Sequence, residues 1–151
     1  MCGLPGAGKT TLARELEQRY HALRLTPDDW ITHLLGSDPS HQALDAARDP
    51  TEALQWDVAS RVLTLGIDVI LDFGFWSRAE REGFRDRATA LGAASIIHFV
   101  DTPLSVLETR LTERRRERPA NTFIVTAAQL QEWSTLFEPP TSDELVPRSV
   151  S

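Results

Sequence analysis

Eight residues near the start of the chain constrain its fold more than any others. Gly3 to Thr10 reads "GLPGAGKT", a G-x-x-x-x-G-K-T pattern, and a helix-forming run follows without a break. This is the phosphate-binding P-loop pattern. Its glycines let the backbone curl so that amide groups point inward, and the helix behind adds its positive N-terminal end. Gly3, Pro5, Gly6, Ala7 and Gly8 would line the phosphates, Lys9 would reach the β/γ-phosphates, Thr10 would meet a Mg²⁺ ion and Thr11 the α-phosphate. Such a loop normally follows a strand, yet only Met1 and Cys2 precede it.

The cation usage sharpens this reading. The chain has fifteen arginines and one lysine, and the lysine is Lys9. A compact ammonium acts there as a point charge that a planar guanidinium does not replace. The net charge of −6 argues against a general affinity for nucleic acid or anionic membrane. Cys2 is the only cysteine, so no internal disulfide can form and a reducing cytoplasmic setting is expected. No apolar run has membrane-spanning length. The 151 residues suit one domain, 1–151.

Strands and helices alternate along the chain. The spacing of Leu12, Leu16 and Tyr20 predicts a helix from Lys9 to Tyr20, followed by a strand near Ala22–Leu25. "TPDDW" starts a second helix, with Thr26 as cap, Pro27 next and Asp29 at the capping-box position, running to Leu35. Residues Ser37–Arg48 read as a mobile loop with some helical content that shapes an acceptor pocket. "DPTE" restarts a helix at Asp49, with Leu54, Val58, Val62 and Leu65 on its apolar face. "DVILDFGF" and "SIIHFVD" read as buried strands of a parallel sheet. "SRAE" and "TAAQ" are capping boxes. "TPLS" opens a helix with Leu104, Leu107 and Leu111 inside, and "ERRRERPANTF" reads as a basic connection. The class is α/β with a mainly parallel sheet.

Three further features carry chemistry. Asp28 falls just after the second strand, in the first turn of a helix, where parallel sheets gather ligands. It reads either as the acid that takes or orients a hydroxyl proton, or as a helix-start residue. Asp72 ends the run "VIL" and reads either as a carboxylate that holds water on Mg²⁺ or as a strand-end acid bonded to loop amides. Arg110 and Arg114 share a helix face; with Arg118 they could close on a transferring phosphoryl group, while part of the basic run reads as a solvated helix end. The histidines lack metal-ligand spacing. Trp30 and Trp76 lie near these motifs and read chiefly as packing residues.

The stretches "GLPGAGKTTLA", "LTPDDW", "DVILDFGFWSRAER", "HFVDTP", "LETRLTERR" and "TAAQLQEWSTLFEPP" together resemble the small P-loop kinases labelled as AAA-domain ATP-binding proteins or predicted kinases. That group is related to the 5′-kinase domain of polynucleotide kinase and, more distantly, to zeta toxin and chloramphenicol phosphotransferase. The resemblance implies a P-loop NTPase three-layer sandwich with five parallel strands, ATP with Mg²⁺ as cofactors, and an arginine-bearing lid. It matches Asp28 to the acid that activates the acceptor hydroxyl and Arg114 to a lid arginine, although the family's Arg-Asn pair reads Arg114-Arg115 here. Polynucleotide kinase carries an arginine three residues after that acid; here the position is Ile31, which argues for a small-molecule phosphoacceptor over nucleic acid. The expected activity is transfer of the ATP γ-phosphoryl to a hydroxyl, with an ATP-hydrolysing protein and an inactive fragment as competing readings. The central first strand is expected to be largely missing, and the numbered chain to be less stable than a version with about seven upstream apolar residues. Oligomeric state leaves no mark on the sequence.

Overall fold

The computed structural model describes residues 1–36, 40–117 and 124–150. The elements run α1 (Lys9–Tyr20), β1 (Leu23–Leu25), α2 (Pro27–Leu35), α3 (His41–Thr64), β2 (Val69–Leu71), α4 (Arg78–Ala90), α5 (Leu104–Glu117) and α6 (Ala127–Leu136). Among the described residues, no helix is long and apolar enough to cross a membrane.

The sheet is α/β in character and shorter than expected. β1 and β2 pair in parallel, with Arg24 opposite Ile70. Among the described residues, the segments beyond β2 meet only in single bridge pairs: Cys2 lies parallel to both Gly74 and Phe99, and Ser95 lies antiparallel to Arg148. Met1–Gly3 therefore takes the central place. Met1 N donates to Leu71 O (2.7 Å), Cys2 N to His98 O (2.9 Å) and Gly3 N to Gly74 O, while Cys2 O accepts from Val100 N. "SIIHFVD" is thus an extended segment bridged at two points, not a regular buried strand, and Ile96 is 59% exposed. Among the described residues, Met1–Gly3 pairs with that segment through Cys2 alone. Five parallel strands are likewise not what the described residues form: two strands are regular, and the outermost pairing is antiparallel.

Local signals placed most helices. Ser77 Oγ accepts from Glu80 N at the start of α4, but Glu80 reaches one residue further back, to Trp76 N. The α6 capping box is complete in both directions. At α2 the expected cap differs: Thr26 makes no side-chain capping bond, and Asp29 pairs with Arg24 instead. Leu107 and Leu111 of α5 are buried, whereas Leu104 lies exposed, and the helix continues to Glu117 where a connection was expected.

The largest departure is α3. It begins at Ser40, whose side chain accepts from Ala43 N, and runs as one helix through Pro50. The "DPTE" signal is not a start. A proline inside a helix lacks the N–H for one backbone bond, so tertiary packing carries α3 past this point. The buried face is also different: Thr51, Gln55 and Ala59 are buried one turn apart, while Leu54 and Leu65 face solvent. α3 packs on α2 and on both strands.

Among the described residues, two apolar clusters hold the fold. One gathers Cys2, Leu25, Ala59, Phe73 and Phe75, with Trp30, Trp56 and Phe84 packed against it. The other joins Ala7 of the glycine loop to Leu107, Leu111 and Leu130 of α5 and α6. That second cluster fixes the loop against the arginine-bearing helix.

Candidate active site

The glycine loop adopts a backbone that side chains oppose. Gly3 has φ +142°, and a Cβ there would stand 2.7 Å from Val100 O, a backbone atom that cannot step aside. Gly8, at φ 104°, is the left-handed residue that turns the loop into α1. The loop is also tied to α5. Arg110 Nη1 donates to Gly6 O and Ala7 O (both 3.3 Å), and Thr102 Oγ1 donates to Ala7 O. An open groove of about 380 Å³ lies over the loop, lined by Gly6, Ala7, Gly8, Thr11, Arg110 and Arg114, among others. The structure therefore brings Arg110 and Arg114, a turn apart on α5, to the glycine loop. Arg118 lies outside the described residues.

Beneath the loop, Lys9 lies within electrostatic reach of Asp72. Lys9 Nζ donates to Leu4 O (2.9 Å). Burial pulls its ammonium below the ordinary lysine range, opposed by the nearby carboxylates of Asp72 and Asp28. Thr10 Oγ1 donates to Asp72 Oδ2 (2.7 Å), and Thr26 Oγ1 approaches the same oxygen at 3.3 Å. Burial pushes the Asp72 carboxyl above the usual carboxylate range, while the Thr10 hydrogen bond and Lys9 draw it back. Among the described residues, Asp72 is thus held by side chains from α1 and from the N-cap position of α2, not by loop amides. Its Oδ1 is buried and has no hydrogen-bond partner.

That orphaned oxygen makes the pair a fit for a hard divalent cation. A hydroxyl that donates its proton to a carboxylate keeps its lone pairs free. Mg²⁺ takes oxygen ligands and keeps several waters and phosphate oxygens, so one or two protein oxygens suffice. No cluster of three or more His, Cys, Asp or Glu capable of caging a metal occurs among the described residues.

Asp28 sits in the first turn of α2, with its side chain 44% exposed. Its Oδ1 accepts from Arg48 Nη2 (3.0 Å). Arg48 also faces Glu52 on the same helix, at 3.7 Å. Burial raises the Glu52 carboxyl to about 7, against the pull of Arg48 and helped by the charges of Glu80, Asp49 and Asp28. Sequence reading missed Arg48 and Glu52, because it treated residues up to Arg48 as loop; the i, i+4 spacing of the two was the available signal. Trp76 and Lys9 both stand beside Gly74: a side chain there would meet Trp76 Nε1 at 3.4 Å and Lys9 Cε at 3.8 Å. Trp76 also packs on Trp133, with ring centroids 5.5 Å apart.

With this geometry in view, the comparisons with known proteins are specific. Residues 1–140 match the AAA_33 family, described as an AAA domain. The chain belongs to this family of small P-loop kinases. Adenylyl-sulfate kinases of Shigella flexneri and Escherichia coli (strain K12 / DH10B) are 36% identical over 113 residues, covering 72% of this chain and 54% of theirs. The chain thus spans about half the length of the curated relatives it matches. A chain of the Pnkp1/Rnl/Hen1 RNA repair complex superposes with a TM-score of 0.62 at 22% identity, over 99% of this AAA_33 chain and 47% of that one. At that identity the likeness concerns the α/β P-loop fold.

Proposed function

We propose that this AAA_33 protein is an ATP-dependent phosphotransferase that moves the γ-phosphoryl group to a hydroxyl of a small molecule. The observation that carries the reading is the Thr10–Asp72 hydrogen bond (2.7 Å) at the foot of the glycine loop, with a second acid, Asp28, in the first turn of α2. One acid stands on the metal side of the loop and one on the acceptor side. Phosphoryl transfer needs that division, since its catalysis is positioning and charge neutralisation.

In this reading the loop amides and Lys9 hold the triphosphate, and Thr10 and Asp72 hold Mg²⁺. When bound, the ion would supply neutralisation of the phosphate charge. The acceptor oxygen bonds to the γ-phosphorus as the β–γ bridging bond breaks and ADP leaves. Asp28 takes the hydroxyl proton on Oδ2, the oxygen that Arg48 does not engage. Arg114 neutralises charge on the transferring group, with Arg110 one turn before it on α5. We place these parts in a single three-layer P-loop NTPase domain.

A small acceptor is favoured over a nucleic acid. Ile31, the position at which polynucleotide kinase carries an arginine, is fully buried here and offers nothing to a phosphodiester. The net charge of −6 points the same way. The deciding experiment incubates γ-labelled ATP and Mg²⁺ with adenylyl sulfate, a 5′-hydroxyl oligonucleotide, and a panel of hydroxylated metabolites and antibiotics. A labelled small molecule is the expected product. Free phosphate alone would make the protein an ATPase, a labelled oligonucleotide would overturn the acceptor class, and unchanged ATP would overturn the reading.

A further inference from the structure

Thr26 occupies the N-cap position of α2 yet does not cap it. Its hydroxyl turns instead toward Asp72, lying 3.3 Å from Oδ2, and accepts a close hydrogen bond from Arg24 Nη1. Thr26 and Asp72 are both buried, and Asp72 Oδ1 has no hydrogen-bond partner. Arg24 is itself fixed from both sides: Nε donates to Glu17 Oε2 of α1 (3.1 Å) and Nη1 to Asp29 Oδ2 of α2 (3.3 Å). A continuous polar chain therefore links α1, the end of β1, α2 and Asp72. A threonine can relay such a bond because its oxygen accepts while its proton is donated.

We propose that Thr26, held by Arg24, is a positioning residue for the metal-side carboxylate. Two hydroxyl donors, Thr10 and Thr26, converge on Asp72 Oδ2 and set the rotation of the carboxyl group. That rotation leaves Oδ1, buried and without a partner, as the oxygen available to the cation or its bound water. The proposal rests on the Mg-ATP reading of the loop and adds to it two residues that the loop motif does not contain. Supporting shells of this kind hold a metal ligand in one orientation, and their loss typically lowers metal affinity about 10–100-fold.

The test is calorimetric and needs no acceptor. ATP is titrated into the wild-type chain with Mg²⁺ and, separately, with EDTA. The same is done for Thr26→Val and Thr26→Ser. Valine keeps the shape and the extended backbone of this site (φ −125°, ψ 113°) but cannot donate. The expected result is a loss of about tenfold in Mg-ATP affinity for Thr26→Val, unchanged affinity in EDTA, and near wild-type behaviour for Thr26→Ser. A loss of equal size with and without Mg²⁺, or no loss at all, overturns the proposal. Should Thr26→Val fail to fold, Thr26→Ser against Thr26→Ala is read the same way. Wild-type protein that binds ATP equally well in Mg²⁺ and in EDTA would overturn the metal reading, and this proposal with it. Wild-type protein that gains affinity with Mg²⁺ while Thr26→Val gains as much would overturn the proposal alone.

Discussion

Replacing Arg81 with methionine should remove about 3 kcal/mol of stability at neutral pH, and the loss should disappear in acid. The Arg81 and Glu144 side chains are each 1% exposed. Arg81 Nε donates to Glu144 Oε1 (2.7 Å) and Nη2 to Oε2 (3.1 Å), a fork-to-fork pair, while Nη1 donates to Phe75 O and Glu138 O. The Arg81 hydrogen bonds hold the Glu144 carboxyl at about 2, against an ordinary 4.5. At 1.36 kcal/mol per pH unit that difference is worth about 3 kcal/mol. Breaking one side of a buried pair costs about 3–5 kcal/mol by an independent route. For a chain of this length each kcal/mol moves the melting temperature by about 2–4 °C, so a fall of about 10 °C is expected. The sign in pH follows from the lowered folded value. Glu144 contributes its full stabilisation above about 4.5 and loses it as the pH falls toward about 2. Urea unfolding followed by tryptophan fluorescence at pH 7, 5 and 3 measures this. The gap between wild type and Arg81→Met should narrow toward pH 3, and the double variant Arg81→Met/Glu144→Met should recover most of the loss. A gap below about 1 kcal/mol at pH 7, or one that does not change with pH, refutes the reasoning.

Glu52 should behave in the opposite sense. Its folded value is raised to about 7, so its contribution is present below about 4.5 and is lost as the pH rises through 7; Glu52→Gln should flatten that part of the stability curve, as measured by chemical denaturation from pH 4 to 8. Gly3→Ala should cost at least about 2 kcal/mol and abolish nucleotide binding, because the new Cβ meets Val100 O at 2.7 Å and the backbone stands at φ +142°; thermal melts with and without Mg-ATP check this. Asp28→Asn should keep ATP affinity and cut phosphoryl transfer by about 100-fold or more, whereas unchanged turnover would remove Asp28 from the chemistry. Arg48→Ala should also spare ATP affinity while lowering turnover, and in the Asp28→Asn background it should add little, since its effect passes through the Asp28 carboxylate.

Several elements were legible because their causes are local. The start of α4 is written in Ser77, the capping box of α6 in Thr126 and Gln129, and the end of α2 in Gly36. α3 was not legible, and for a definite reason. Asp49-Pro50 carries a strong start signal, yet the chain is already helical from His41 and packing on α2 holds it so. Its apolar residues misled as well: Leu54 and Leu65 are exposed, while Gln55 is fully buried. Periodicity reports which residues share a face, not which face is covered. Likewise "SIIHFVD" has strand composition, but the number of strand bonds it makes depends on a neighbour that pairs through Cys2 alone.

The residues from Gly3 to Thr10 determined by themselves that a phosphate-shaped turn leads into a helix, since glycine backbone freedom, the Lys9 charge and the Thr10 hydroxyl all act within a few bonds of one another. What they could not determine is which distant groups complete the site. Asp72 reaches Thr10 across 62 positions of sequence, Arg48 reaches Asp28 across 20, and Arg24 and Thr26 turn inward only because β1 lies against β2. Hydrogen bonds between side chains act over about 3 Å, and only the packing of the sheet and of α3 on α2 brings those atoms that close.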